Sequence, residues 1–227
     1  MTDTQPRAGS GIIRSLGWPL LAGFCLALVS ALLFWWFAGE VFEGETVSFD
    51  NSVREMVRHI AGPGLTRIMI CVSFLGKPGF LAALGIPVAG LFLRLGWRHA
   101  FVLFALTMAG EIVLELALKG FFQRVRPEPF FDQAIPASYS FPSGHALGSF
   151  CFFGILAWLI GPRLKRPAVT WSIRFLATVL IAAIGFSRVY LGMHYPSDVL
   201  AGYLAGFVWC VTVGLGDAFF HRRKADS

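Results

Sequence analysis

Six apolar stretches along the chain are long enough, alone or with their polar flanks, to form helices that cross a lipid bilayer. A helix needs about 20 apolar residues to span the hydrocarbon core. The six stretches are Trp18–Gly39, Val72–Leu93, Ala100–Leu118, Ala146–Ile160, Ile173–Phe186 and Val199–Leu215. The fourth and fifth are short by themselves, and we expect their polar flanks to extend the helices. The pattern predicts an all-α, polytopic membrane protein with six transmembrane helices.

The segment between the first two stretches, residues 40–65, is too long for a simple turn. Its apolar residues at helical spacing are Val53, Met56, Val57 and Ile60. This spacing predicts an interfacial helix over Ser52–Ile60 that lies on the outer membrane surface. No internal repeat or low-complexity linker divides the chain. Residues 1–227 are therefore predicted to form one membrane-embedded domain, with residues 1–16 as a cytoplasmic tail.

The composition agrees with a membrane protein and changes the interpretation of the positive charge. Only 14% of the residues are charged and 56% are hydrophobic, whereas about 25% of residues in soluble domains are charged. The net charge is +6, but the basic residues fall mainly at the ends of apolar stretches, so nucleic-acid binding is excluded. Short basic connections such as Arg94–Arg98 and Arg163–Arg166 place both termini in the cytoplasm.

On this topology three polar patches fall on the same outer face. They comprise residues 119–127, 139–145 and 187–198. Their cations are Lys119, Arg126 and Arg188. Cations that converge from separate parts of a sequence form an anion pocket, and planar guanidinium groups suit phosphate oxygens well. Ser143 and Gly144 stand where a helix begins, so their backbone N–H groups are expected to point at the anion.

Two histidines add chemistry to anion binding. His145 and His194 titrate near neutral pH, and Asp198 follows His194 by four residues. A neutral imidazole can attack phosphorus while a carboxylate on its other nitrogen sets the tautomer. A second histidine can protonate the leaving oxygen and then activate water. No set of metal ligands surrounds these residues, so neither a metal nor another cofactor is expected.

The three patches resemble the signature of the type 2 phosphatidic acid phosphatase (PAP2) superfamily. That signature is K-x6-R-P, then P-S-G-H, then S-R-x5-H-x3-D. The chain matches it without a departure, from Lys119 to Arg126-Pro127, over Pro142–His145, and from Ser187-Arg188 through His194 to Asp198. Three spaced motifs in this order are far more specific than the tetrapeptide alone. The resemblance also covers the layout of six helices.

The resemblance implies a role for each matching residue. His194 would be the nucleophile, Asp198 would orient it, and His145 would be the general acid. The phosphoryl oxygens would be bound by Lys119, Arg126, Ser143, Gly144 and Arg188. The family is typically metal-independent, and the expected enzyme is a hydrolase that acts on phosphorylated lipids.

Other polar residues near the patches lie outside the signature. Glu115 precedes Lys119 by one helical turn and is expected to brace it, because intramembrane acids are costly and usually functional. Lys77 is expected near the outer interface, where it would contact a lipid head group or act as an anchor. Three further arginines are interpreted as interfacial anchors. They are Arg54, Arg58 and Arg124.

The substrate is expected to be a lipid with its head group at the outer face and its tail in the bilayer. Undecaprenyl pyrophosphate is favoured over phosphatidic acid, phosphatidylglycerol phosphate and lipid A phosphate. The expected location is the bacterial cytoplasmic membrane, with the site on the periplasmic or extracellular side. A phosphotransferase that uses the same site and a non-catalytic lipid transporter stay open as alternatives.

Overall fold

The computed structural model describes residues 9–131 and 134–225, and the side chains of residues 21–131 and 134–220. All regular secondary structure in these ranges is helical, as predicted. The helices are α1 (Gly9–Glu43), α2 (Val47–His59), α3 (Pro63–Phe74), α4 (Pro78–Arg94), α5 (Arg98–Phe122), α6 (Gly144–Ile160), α7 (Pro167–Tyr190) and α8 (Pro196–Ala225).

The described part of the chain has enough apolar helix for several membrane crossings. Five helices are long and apolar enough to span a bilayer, and α3 with α4 forms a sixth candidate span. Polar flanks extend the two short apolar stretches, as expected. A 3-10 turn, Gly161–Leu164, lengthens the α6 span to 21 residues. Helix α7 begins at Pro167 and has 24 residues, so both can cross the hydrocarbon core.

The second predicted helix, Val72–Leu93, is broken in the structure. Helices α3 and α4 meet at an angle of 49°. Pro78 starts α4 and has no N–H to continue a helix, and a proline disfavours helical geometry in the residue before it. Lys77 accordingly has an extended backbone, with φ −65° and ψ 135°. Helix α3 therefore packs as a separate element against α7.

The segment between α1 and α3 contains the amphipathic helix that the sequence predicts. Helix α2 is longer than expected and begins at Val47. It buries Asp50 and Val57 and leaves Met56 exposed. Helix α1 begins at Gly9, so residues 9–16 of the predicted tail are helical. Residues 1–8 of that tail lie outside the described residues.

Helix α6 lies at the centre of the bundle and packs against α5, α7 and α8. Small residues let neighbouring helices approach closely in membranes. At the contact between α5 and α8, Gly110 faces the indole ring of Trp209, whose Nε1–H donates a hydrogen bond to the Thr107 carbonyl at 2.9 Å. A Cβ atom at residue 110 would lie 1.9 Å from that ring, so this packing requires glycine.

We expect Gly110→Ala to lower stability by about 1–3 kcal/mol, because the added methyl group forces the indole ring out of its position. The matched control is Gly90→Ala in α4, where nothing lies within 4 Å of the added Cβ. That control should leave stability unchanged or raise it slightly. Thermal unfolding in detergent measures both, and equal melting temperatures for the two variants would contradict the prediction.

Candidate active site

The three polar patches meet at one end of the helix bundle. Lys119 lies in the last turn of α5 and Arg188 in the last turn of α7, while His145 is the second residue of α6. Arg126 and His194 lie in the loops that precede α6 and α8. Four side chains are close enough to His145 to interact with it electrostatically. They are Lys119, Arg126, Arg188 and His194. Groups that are far apart in the sequence thus surround one imidazole.

The hydrogen bonds of His194 define its tautomer. Nδ1 lies 3.4 Å from Asp198 Oδ2, and Nε2 lies 3.0 Å from Arg126 Nη1. A carboxylate only accepts hydrogen bonds and a guanidinium only donates them. The proton is therefore assigned to Nδ1, and the lone pair to Nε2. This is the form in which an imidazole can act as a nucleophile.

Asp198 is completely buried and held by several donors. Its Oδ2 accepts hydrogen bonds from Ser140 Oγ at 2.5 Å and from the Tyr195 backbone N–H at 2.9 Å. Its Oδ1 accepts one from Arg124 Nη1 at 2.6 Å. A buried carboxylate needs such a set of partners. These bonds fix the carboxylate that orients His194.

Arg124 joins Asp198 to a second buried carboxylate. Its Nη2 lies 2.9 Å from Asp50 Oδ2, and Asp50 also accepts hydrogen bonds from the backbone N–H and the hydroxyl of Ser197 at 2.9 and 2.6 Å. Burial favours the neutral guanidinium, but the charges and hydrogen bonds of the two carboxylates outweigh burial and raise the pKa of Arg124. The interpretation of Arg124 as an interfacial anchor is therefore wrong.

Sequence reasoning missed Asp50 and Ser140 as members of this site. Asp50 belongs to α2, 148 positions before Asp198, and no motif links the two residues. Ser140 lies in the second polar patch, two residues before Pro142, so its position offered a weak signal. Only the packing of α2 against the start of α8 brings Asp50 to the pair.

Several buried polar atoms around His145 have no hydrogen-bond partner among the described residues. They are Ser143 Oγ, His145 Nε2 and Arg188 Nε. Arg188 is otherwise held in place by a 2.6 Å hydrogen bond from Nη1 to Ser73 Oγ. Unpaired buried donors are costly, and a cluster of them is suited to an anionic ligand.

The backbone N–H groups of Ser143 and Gly144, both predicted to bind an anion, differ in whether they already have a partner. The Ser143 N–H donates to the Asp198 carbonyl at 2.9 Å, so the expectation that it points at an anion is wrong. Its hydroxyl stays unpaired. Gly144 is the first residue of α6, and the first N–H groups of a helix have no partner within the helix.

Glu115 and Lys77, the two candidate residues outside the signature, lie beside the predicted cluster. Glu115 Oε1 lies 2.5 Å from Lys119 Nζ, so the two residues, one helical turn apart, form an ion pair. A Cβ atom at residue 144 would lie 2.0 Å from the same oxygen, so Gly144 lets α5 approach α6 here. Lys77 is exposed at the break between α3 and α4, with Nζ 5.6 Å from the centre of the Phe74 ring. The adjacent Gly76 faces the ring of His145.

An open polar cavity of about 910 Å³ borders the site at Arg126. Arg126 lines this cavity and also contacts His194. Its other walls come from α2 and from the loop around Phe130, and they carry Arg54 and Arg58. Water and small anions can therefore reach Arg126 from outside the bundle. No group of three or more His, Cys, Asp or Glu side chains in residues 9–131 and 134–225 is arranged to hold a metal ion.

We expect Arg124→Gln to destabilise the protein by about 3 kcal/mol, because it leaves Asp50 and Asp198 buried without their cation. In any folded fraction His194 should be held less firmly, since Asp198 then keeps only its hydrogen bonds from Ser140 and Tyr195. Arg58→Gln, on the exposed face of α2, is the matched control and should melt like the wild type. Thermal unfolding of both variants checks this, and an unchanged melting temperature for Arg124→Gln would refute the role of the network.

The chain is similar in sequence to phosphatases of known substrate. The chain is 31% identical over 183 residues to phosphatidylglycerophosphatase B of Bacillus subtilis, covering 78% of this chain and 87% of the relative. It is 28% identical over 168 residues to an undecaprenyl-diphosphatase of Sulfolobus acidocaldarius, covering 71% and 75%. Both relatives are lipid phosphatases, and their names give them different substrates.

The fold has a counterpart among solved structures. The crystal structure of a transmembrane PAP2-type phosphatidylglycerolphosphate phosphatase from Bacillus subtilis aligns with a TM-score of 0.76 and 29% identity, covering 84% of this chain and 95% of that chain. Residues 100–217, just over half of the chain, match the PAP2 superfamily. This match contains all three signature motifs. The chain is a multi-pass membrane protein that belongs to the PAP2 superfamily.

Proposed function

We propose that this protein hydrolyses the terminal phosphate of a membrane lipid through a phosphohistidine formed on His194, without a metal ion. The observation that carries the proposal is the pair of contacts to His194. Asp198 accepts a hydrogen bond from Nδ1 of His194, which leaves the lone pair on Nε2, next to the guanidinium of Arg126. The proposed nucleophile is thus in contact with the carboxylate that orients it and with a cation that would bind the phosphate.

In the first step Nε2 of His194 attacks the phosphorus atom of the lipid phosphate. The new N–P bond forms as the bond from phosphorus to the lipid oxygen breaks. His145, in its protonated form, gives a proton to that oxygen. The negative charge on the phosphoryl oxygens is stabilised by fixed donors, which is the main contribution a protein makes to phosphoryl transfer. These donors are Lys119, Arg126, Arg188, Ser143 and Gly144.

In the second step water hydrolyses the phosphohistidine. Neutral His145 takes a proton from the water, the oxygen bonds to phosphorus, and the N–P bond breaks to release inorganic phosphate. The polar cavity beside Arg126 supports water as the acceptor, because it is open to the exterior of the helix bundle. A phosphotransferase would need a second lipid in this polar space. A non-catalytic transporter would have no use for an oriented, neutral His194.

We infer that the site faces the periplasmic or extracellular side of a bacterial cytoplasmic membrane. The site residues lie at the C-terminal ends of α5 and α7 and the N-terminal ends of α6 and α8. The connections at the opposite ends, 95–97 and 161–166, are short, and basic residues lie in or beside them, which favours the cytoplasmic side for them. Both termini would then be cytoplasmic.

Two lipids are the first substrates to test. Phosphatidylglycerol phosphate is supported by the similarity to the Bacillus subtilis enzyme. Undecaprenyl pyrophosphate, favoured from the sequence, is supported by the similarity to the Sulfolobus acidocaldarius diphosphatase. Both present a terminal phosphate at the membrane surface, so the chemistry at His194 would be the same.

Purified protein in detergent with EDTA should release phosphate from at least one of these lipids. His194→Ala should reduce the rate by about 10³-fold or more, because it removes the imidazole on which the proposed covalent intermediate forms. His99→Ala, at the opposite end of the bundle, is the matched control and should keep wild-type activity. Phosphate release that persists in His194→Ala would show that His194 is not the nucleophile. Activity that requires added metal would refute the metal-free mechanism.

The dependence of kcat/KM on pH should reveal the lowered pKa of the buried His194 imidazole. Burial is the main cause that lowers the pKa of His194 from 6.5 to about 4; the hydrogen bond and charge of Asp198 oppose this, and Arg126 and Arg188 add to it. The nucleophile loses its lone pair only when pH falls through this value. We therefore expect the acid limb of kcat/KM well below pH 6.5. Arg126→Gln should move the limb to higher pH, because it removes a nearby positive charge.

The profile must be measured on folded protein. Because the pKa of His194 is lower in the folded than in the unfolded state, the unfolded state binds more protons between about pH 6.5 and 4, and stability falls as pH falls through that window. Thermal unfolding at each pH separates loss of fold from loss of the nucleophile. An acid limb at or above pH 6.5 in folded protein would contradict the assignment of His194 as the nucleophile.

A further inference from the structure

A second carboxyl group lies on the membrane side of the site, and the proposed mechanism does not use it. Glu111 belongs to α5 and is 5% exposed. It forms no hydrogen bond or ion pair with any residue that the structure describes. A carboxyl group inside a hydrocarbon region is costly and marks a functional position unless it has a partner. Thr107, one turn away, is buried as well, but its hydroxyl is bonded to the Leu103 carbonyl.

Glu111 lines an apolar groove of about 440 Å³ between α4 and α5. The walls of the groove are small or apolar side chains. They include Ala82, Gly85, Ile86, Ala105, Met108 and Ile112. Its upper end reaches Glu115 and Gly144. The groove is therefore continuous with the predicted phosphate-binding residues and leads from them into the apolar part of the bundle.

The position of Glu111 along the groove sets what it can contact. Residues 111, 115 and 119 are one turn apart on α5, so Glu111 lies about 12 Å along the helix from Lys119. The carboxyl groups of Glu115 and Glu111 face two glycines on α6. A Cβ at residue 144 would lie 2.0 Å from Glu115 Oε1, and one at residue 148 would lie 3.1 Å from Glu111 Oε1. Glu111 is thus the polar group in the groove one turn below the Glu115–Lys119 pair.

We propose that Glu111 selects glycerophospholipid substrates by donating a hydrogen bond to an ester carbonyl of the lipid in this groove. The inference rests on the proposed function, because the phosphate must be bound at His194 for the ester to reach Glu111. Apolar surroundings disfavour the ionised carboxylate, and a protonated carboxyl group has one O–H to donate. An ester carbonyl is an acceptor without a proton of its own.

The same position discriminates between the two lipid classes. In a glycerophospholipid the ester groups follow the head group and precede the acyl chains. In a polyprenyl diphosphate the chain beyond the two phosphates is hydrocarbon, so it leaves the O–H of Glu111 unpaired. A site that hydrogen-bonds one substrate disfavours an analogue that leaves its buried donor unsatisfied. Glu111 is accordingly a specificity residue and not part of the phosphoryl-transfer machinery.

The test measures kcat and KM for phosphatidylglycerol phosphate and for undecaprenyl diphosphate in detergent with EDTA. We expect Glu111→Leu to raise KM for the glycerophospholipid by about tenfold, the effect of one lost buried hydrogen bond, with KM for the prenyl lipid unchanged or lower. Glu111→Gln keeps an N–H donor and should behave nearly like the wild type. Met108→Leu, in the same groove, is the matched control and should treat both lipids as the wild type does.

A substrate analogue removes the need to rely on one variant. Ether-linked phosphatidylglycerol phosphate lacks the ester carbonyls, so the wild type should bind it about tenfold more weakly than the ester lipid. Glu111→Leu should not distinguish the two. If Glu111→Leu fails to fold, the comparison of ether and ester lipids in the wild type decides.

Two results would overturn the inference. One is an equal change for both lipid classes in the Glu111 variants, which indicates a structural role. The other is a wild type that binds ester and ether lipids equally or hydrolyses only the prenyl lipid. A wild type that hydrolyses neither lipid would refute the proposed function itself, which is a separate outcome.

Discussion

The structure depends on one buried ionic network, in which Arg124 bridges Asp50 and Asp198. Each carboxylate is almost fully buried, so neither can lose its cation without a large desolvation cost. The network connects α2, the loop after α5 and the first turn of α8. Because Asp198 also holds Nδ1 of His194, the geometry of the predicted nucleophile follows from contacts made far from it in the sequence.

The network explains how the short amphipathic helix α2 contributes to the site. Helix α2 inserts Asp50 into the bundle, where Ser197 and Arg124 bind it. The exposed face of α2 contributes to the polar cavity that opens toward Arg126. One short helix thus supports Asp198 on one face and lines the polar cavity on the other.

The two sides of the site differ in polarity. The polar cavity is lined by charged side chains such as Arg54 and Arg126, while the groove between α4 and α5 is apolar except for Glu111 and Glu115. A lipid whose head is ionic and whose tail is apolar matches this division. The break between α3 and α4 lies beside the same region, where Gly76 faces the ring of His145.

The sequence by itself determined the helical class, the approximate spans and the residues of the three motifs. Long apolar stretches and the spacing of residues such as Lys119, Arg126 and His194 are local properties of the chain, so they can be recognised without a structure. The break at Lys77 was missed, although Pro78 marks it, because the apolar stretch continues through it. Only the tertiary structure decided that Arg124 pairs with Asp50 and Asp198. Ion pairs between residues more than 70 positions apart depend on how helices pack, and no local pattern encodes that packing.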